Sequence, residues 1–148
     1  MAQDYQLLYV EDDEVDYEQI RRVFKRLGIS APLHRARDGE EALQQMRAQL
    51  ANPAVPLIVL LDLHLPGMNG IEFLHEVRKD EALCRTPVFV LSTSKHERDI
   101  AAAYEYNVCG YVAKPLGREE LASVVQALQS FWSVCLLPSA RSRGGFVD

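Results

Sequence analysis

Acidic, hydroxyl and amino side chains directly follow four of the apolar stretches in this sequence. These residues are Glu11 and Asp12, Asp62, Ser92 with its neighbours Thr93 and Ser94, and Lys114. Clustered carboxylates repel one another unless a cation lies among them, and Mg²⁺ prefers oxygen ligands of this kind. A carboxylate beside such an ion can attack a phosphorus atom and form an acyl phosphate. The pattern therefore predicts a magnesium pocket with phosphoryl-transfer chemistry.

Asp62 is the best candidate for the phosphoryl acceptor. It ends an apolar strand and is followed within a few residues by Pro66 and Gly67. Lys114 and the metal would neutralise charge on the phosphoryl oxygens, and Ser92 would donate a hydrogen bond to the same group. Phosphoryl transfer depends mostly on positioning and electrostatics, so the chemistry requires little else.

Five short apolar stretches alternate with segments of helical periodicity, which predicts a parallel sheet covered by helices on both faces. The stretches lie at residues 7–10, 33–37, 57–61, 88–91 and 111–113. The second is mixed in composition and suits an edge strand. In an open sheet of this class, ligands bind at the carboxyl ends of the strands. The polar residues named above should therefore meet in one cleft.

Composition indicates one globular domain. The chain has 148 residues, of which 48% are hydrophobic and 25% charged, and its net charge is −5. The acidic balance disfavours nonspecific nucleic-acid binding by the whole surface. No apolar stretch is long enough to span a membrane and the start does not resemble a secretory signal, so we expect a cytoplasmic protein. The odd number of cysteines favours reduced thiols.

Four motifs together resemble the receiver domain of bacterial response regulators. They are the Glu11-Asp12 pair, the segment 60–70 around Asp62, Ser92, and Lys114-Pro115. The resemblance covers nearly the whole chain. It implies a flavodoxin-like (βα)5 three-layer sandwich in which five parallel strands have the order 2-1-3-4-5. It also implies a receiver domain at residues 4–138, followed by a flexible tail at 139–148.

The resemblance assigns a role to each site residue. Asp62 is the phosphoacceptor and a metal ligand, Asp12 binds Mg²⁺ directly, and Glu11 acts partly through water. The implied remaining roles are metal binding by the His64 backbone carbonyl, phosphoryl binding by Ser92, Thr93 and Lys114, and switching by Ser92 and Tyr111. The Lys114-Pro115 peptide is expected to be cis.

The segments 78–87, 91–94 and 131–138 further resemble stand-alone regulators that partner phytochrome-type sensor histidine kinases. No DNA-binding domain follows, so we expect output through protein contacts or phosphate relay and no binding of DNA or membrane. Members of this group are commonly homodimers through the fourth helix, fifth strand and fifth helix. Phe131 and Trp132 are therefore candidates for dimer or tail packing.

Simpler interpretations apply to several residues. Asp13 is better explained as a helix cap than as a ligand. His64 and Ser94 flank the route by which water reaches an acyl phosphate, and we hypothesise that they tune its lifetime. Three other functions stay open: a flavin-binding module, although three acids stand where a phosphate loop is needed; a phosphatase, although His64 stands where a second acid is needed; and a phosphate-independent adaptor. The receiver interpretation, by contrast, describes a signalling switch that carries out chemistry only on itself and is not a turnover enzyme.

Overall fold

Five strands alternate with five helices along the chain in the computed structural model, which describes residues 5–51 and 55–138. In chain order the elements are β1 Gln6–Val10, α1 Glu14–Arg26, β2 Leu33–Ala36, α2 Gly39–Ala51, β3 Leu57–Leu61, α3 Gly70–Lys79, β4 Val88–Ser92, α4 Glu97–Glu105, β5 Gly110–Ala113 and α5 Arg118–Val134. All five predicted strands are present, which confirms the alternation inferred from the apolar stretches.

The strands form one sheet in the order β2-β1-β3-β4-β5, and every neighbouring pair is parallel. The predicted flavodoxin-like fold is therefore confirmed. β1, β3 and β4 are buried along their full length, as expected for strands covered on both faces. β2 lies at an edge, and three of its four residues are only half-buried, which explains its mixed composition.

Two hydrophobic layers cover the sheet, and adjacent residues of β1 point into different layers. Leu8 and Val10 pack with residues of α2, α3 and α4, whereas Leu7 and Tyr9 pack with residues of α1 and α5. This follows from the alternation of side chains along a strand. The helices packed on both faces hold the strands in place, and the predicted site lies at the carboxyl ends of these strands.

Helix ends near the site are set by local hydrogen bonds. Asp13 caps α1 by accepting from the backbone N–H groups of Val15 and Asp16, which confirms its interpretation as a cap. Asn69 and Glu72 form a reciprocal capping box at the start of α3. Gly28 has a φ of 69° just beyond the end of α1, as the predicted C-terminal glycine requires.

Trp132 belongs to the core and not to a surface. It is 1% exposed and packs edge-on against Tyr5 and Phe89, so its prediction as a dimer contact was wrong, and the tail that it was also predicted to contact lies outside the described residues. The helical period places it on the inner face of α5 with Leu121 and Val125. Phe131 is 53% exposed and remains available for an external contact.

Gly70 lies where α3 approaches the strand that carries Asp62. A Cβ added there would lie 2.6 Å from the Leu63 Cα atom and 3.0 Å from the Asp62 carbonyl oxygen. We expect Gly70→Ala to lower the free energy of unfolding by about 1–3 kcal/mol, because the backbone must move. Gly39→Ala is the control, since its Cβ would meet only the flexible side chain of Met68. Equal urea midpoints for the two variants would contradict this prediction.

None of the helices in the described part of the chain is both long enough and apolar enough to cross a membrane. Cys84, Cys109 and Cys135 are free thiols, as predicted. The tail predicted at 139–148 lies outside the described residues.

Candidate functional site

The carboxyl ends of β1, β3 and β5 bring three of the predicted site residues into contact. Glu11 follows β1, Asp62 follows β3, and Lys114 follows β5. The Lys114 Nζ atom lies 2.6 Å from Glu11 Oε1 and 3.1 Å from Asp62 Oδ2. These contacts join residues that are far apart in sequence, and they form because parallel strands end at the same edge of the sheet.

Asp16 is a third carboxylate in this cluster and was not predicted. Its Oδ2 atom lies 2.9 Å from Lys114 Nζ. The residue belongs to the first turn of α1, directly after the connection that carries Glu11, and an acid at that position is the signal that could have revealed it. Lys114 therefore bridges three acids.

The lysine and two of its acids are largely removed from water. The side chains of Lys114 and Asp62 are each 9% exposed, and that of Glu11 is 1% exposed. Burial raises the pKa of Glu11 to about 7, although its hydrogen bond with Lys114 acts in the opposite direction. Burial alone would lower the pKa of Lys114, but the carboxylates that contact it outweigh burial and raise that pKa. The ammonium form is thus held firmly in the pocket.

Both oxygens of Glu11 have hydrogen-bond donors. Oε1 accepts from the Tyr9 hydroxyl at 3.1 Å as well as from Lys114, and Oε2 accepts from the Asp13 backbone N–H at 3.3 Å. Burial also raises the pKa of Tyr9, so the phenol keeps its proton and remains a donor. Glu11 is consequently fixed in one orientation.

Asp62 is oriented by two donors, one for each oxygen. Its Oδ1 atom accepts from the His64 backbone N–H at 3.0 Å, and its Oδ2 atom faces Lys114. His64 is exposed, as predicted from sequence. Asp12 is also exposed, and its carboxylate is not part of the close group formed by the described acids Glu11, Asp16 and Asp62.

Ser92 ends β4 and is fully buried. Its Oγ atom accepts from the Ser94 backbone N–H at 3.2 Å. The Ser94 hydroxyl turns to Asp99 Oδ2 at 2.5 Å, and the Ser94 carbonyl accepts from the Tyr111 hydroxyl at 2.9 Å. Ser92 and Tyr111 are thus linked through Ser94, whereas Thr93 is exposed.

The expectation of a cis peptide between Lys114 and Pro115 was wrong. No peptide bond between described residues is cis, so this one is trans. The trans form is favoured before proline by about 0.5–1 kcal/mol in the absence of other constraints. Lys114 makes all three of its carboxylate contacts from the trans arrangement.

The donor set fits a divalent cation. One carboxylate oxygen from each of Glu11, Asp16 and Asp62 lies within 4.8 Å of the other two. All three are oxygen ligands of the type that Mg²⁺ prefers. Because Lys114 contacts the same three carboxylates, lysine and metal would both neutralise the acids.

The sequence matches the family model described as "Response regulator receiver domain" over residues 7–126. It is 37% identical over 137 residues to the response regulator Rcp1 of Synechocystis sp., covering 90% of this chain and 93% of that protein.

Three solved structures are similar over most of the chain. The phosphorylated cyanobacterial phytochrome response regulator RcpA superposes with a TM-score of 0.82 at 35% identity, covering 92% of this chain and 99% of that one. The Mn²⁺-bound form of Rcp1 gives a TM-score of 0.77 at 36% identity, covering 90% and 99%. The bacteriophytochrome response regulator AtBRR gives 0.69 at 31% identity, covering 90% and 98%.

Proposed function

Because the chain belongs to the response regulator receiver family, whose members are signalling switches, we propose that it is a single-domain switch phosphorylated on Asp62. The donor is a phosphohistidine on a sensor histidine kinase, and the reaction requires Mg²⁺. The observation that carries this proposal is the contact of the buried Asp62 carboxylate with Lys114, which also holds Glu11.

In the proposed reaction, an Asp62 carboxylate oxygen attacks the phosphorus atom. The new P–O bond forms as the P–N bond to histidine breaks, and the imidazole nitrogen keeps the electron pair. Lys114 donates to the transferred oxygens, and the Ser92 hydroxyl donates to the same group after it leaves Ser94. Bound Mg²⁺ would add positive charge at the phosphoryl oxygens. The groups that would hold the ion are the carboxylates of Glu11, Asp12, Asp16 and Asp62 and the His64 carbonyl.

Output in this proposal begins at Ser92. Its Oγ atom is engaged by the Ser94 N–H, and the Ser94 carbonyl holds the Tyr111 hydroxyl. Movement of Ser92 toward a phosphoryl group would therefore disturb Tyr111, which lies on β5. We also propose that the protein forms a homodimer through α4, β5 and α5. Tyr104 on α4 and Phe131 on α5 are about half exposed.

The donor kinase is proposed to be of the phytochrome type. This rests on the similarity of the chain to RcpA, a cyanobacterial phytochrome response regulator, and to AtBRR, a bacteriophytochrome response regulator. A cytoplasmic location is part of the same proposal.

The switch resets by hydrolysis of the acyl phosphate, and His64 is expected to influence the rate. Its exposed imidazole can orient or deprotonate water at the pocket mouth. We expect His64→Asn to slow loss of phosphate by up to about 10²-fold, the lower end for loss of a general base. Ser94→Glu should also change the rate, through the loop that holds Ser92. Decay of radiolabelled protein measures both, and unchanged decay in both variants would refute this role.

The test of the proposed function is direct phosphorylation of the purified protein. Incubation with Mg²⁺ and phosphoramidate should add the mass of one phosphoryl group, and incubation with chelator should not. Hydroxylamine should remove the group, because it cleaves acyl phosphates and leaves phosphoserine intact. A phosphorylated phytochrome-type kinase should serve as donor in the same assay. Absence of any Mg²⁺-dependent label from every donor would exclude the function.

A further inference from the structure

Arg35 lies on the edge strand β2, next to the segment that carries the pocket acids. Its side chain is only 10% exposed, which is unusual for an arginine, and its guanidinium carbon lies 4.7 Å from the centre of the Tyr17 ring. Strand β2 pairs with β1 so that Arg35 stands opposite Tyr9, two residues before Glu11. The guanidinium therefore reaches the β1–α1 connection.

The guanidinium donates to the backbone of two consecutive acids. Arg35 Nε donates to the Glu11 carbonyl and Nη2 donates to the Asp12 carbonyl, each at 3.1 Å. Nη1 donates to Glu14 Oε1 at 2.8 Å. One planar group thus fixes both peptide carbonyls and the start of α1, a geometry that the guanidinium fork allows and an ammonium does not.

The two fixed carbonyls belong to the residues whose carboxylates we assign to the metal. Holding a carbonyl restricts the backbone dihedral angles on both sides of it, and so restricts where the side chain points. Glu11 has further donors from Tyr9 and Asp13, but Asp12 is exposed. Asp12 therefore depends more than Glu11 on its backbone for a fixed position.

We propose that Arg35 is a positioning residue for the cation site, which it organises through the carbonyls of Glu11 and Asp12 without touching the metal. The inference rests on the proposed function, because it presumes Mg²⁺ binding. Groups that orient metal ligands typically contribute about 10–100-fold to metal affinity. We expect Arg35→Ala to weaken Mg²⁺ binding by this factor.

Arg37, the first residue after β2, provides a matched control. It pairs with the same Glu14 Oε1 atom at 3.0 Å. Within the described part of the chain, its 55% exposed side chain donates to neither the Glu11 nor the Asp12 carbonyl. Arg35→Ala and Arg37→Ala both remove one positive charge near a cation site. By charge alone, both should bind Mg²⁺ more tightly. Weaker binding in Arg35→Ala alone would therefore come from lost positioning.

The experiment is isothermal titration of Mg²⁺ into the intact protein and the variants Arg35→Ala, Arg35→Lys and Arg37→Ala. Thermal melts verify folding, and Arg35→Lys keeps the charge and the alkyl chain in case Arg35→Ala is poorly folded. Amide hydrogen exchange at residues 11–13 in metal-free protein gives a second readout. Faster exchange and weaker binding in both Arg35 variants, with Arg37→Ala binding Mg²⁺ at least as tightly as the parent, support the proposal.

Three results would overturn it. The first is Mg²⁺ binding by both Arg35 variants that equals or exceeds that of the parent. The second is equal weakening in Arg35→Ala and Arg37→Ala, which would assign the effect to Glu14. The third is no Mg²⁺ binding by the parent protein, and only this one also counts against the proposed function.

Discussion

Asp62→Asn is expected to leave the protein folded and to abolish its phosphorylation. Asparagine has nearly the same size, its one carbonyl oxygen can still accept from the His64 N–H, and Lys114 keeps Glu11 and Asp16 as partners. It has no carboxylate, so it cannot form an acyl phosphate. Intact mass after incubation with Mg²⁺ and acetyl phosphate or phosphoramidate should show one added phosphoryl group on the parent chain and none on the variant.

Asp16→Asn is the matched control for that experiment. It removes one negative charge from the same cluster and the same lysine, but it keeps the acceptor. We expect it to be phosphorylated at a reduced rate. Phosphoryl label that persists in Asp62→Asn would show that another residue is the acceptor. The same conclusion would follow if Asp16→Asn lost the label while Asp62→Asn retained it.

Lys114→Met should produce the largest loss of stability. The substitution preserves much of the side-chain volume but leaves the buried carboxylates of Glu11 and Asp62 without their cation. Removing one partner of a buried ion pair costs about 3–5 kcal/mol. The free energy of unfolding measured in urea without Mg²⁺ should fall by this amount. Added Mg²⁺ should recover part of the loss, because it binds the folded state and is attracted to the same acids.

Lys79→Met is the comparison for the lysine. Lys79 pairs with Glu76 at 2.8 Å, but its side chain is 60% exposed, so the pair contributes about 0–1 kcal/mol. Lys114→Met should also be phosphorylated poorly, since the phosphoryl oxygens lose a donor. Equal urea midpoints for the two variants would show that the buried cluster gains no net stability from its lysine.

The elements of the fold could be predicted because each one carries a local signal. Continuous apolar residues marked β1, β3 and β4, the i, i+3, i+4 pattern marked α1 and α5, and the mixed composition of β2 marked an edge. The proximity of Glu11, Asp62 and Lys114 could be predicted from the parallel topology, because all three residues follow strands that end at the same edge of the sheet. These inferences need only the chain direction and the periodicity of the side chains.

The parts that sequence did not reveal depend on side-chain directions across elements. Asp16 and Arg35 reach the pocket or its backbone from the first turn of α1 and from the edge strand. Each looks like an ordinary surface charge until the packing of its own element is known. Trp132 was assigned to an external contact from the family resemblance, although its helical spacing from Leu121 and Val125 places it on the buried face of α5.

The two outer strands of the sheet, β2 and β5, have four residues each, whereas the three inner strands have five. A short edge strand offers few unpaired backbone N–H and C=O groups to an incoming extended chain. β2 also carries the side chains of His34 and Arg35. Charged side chains on an edge strand oppose its pairing with a strand of another molecule. The sheet is therefore poorly suited to lengthen across two molecules. Self-association of this protein should instead involve helices, and it should not progress to fibrous aggregation.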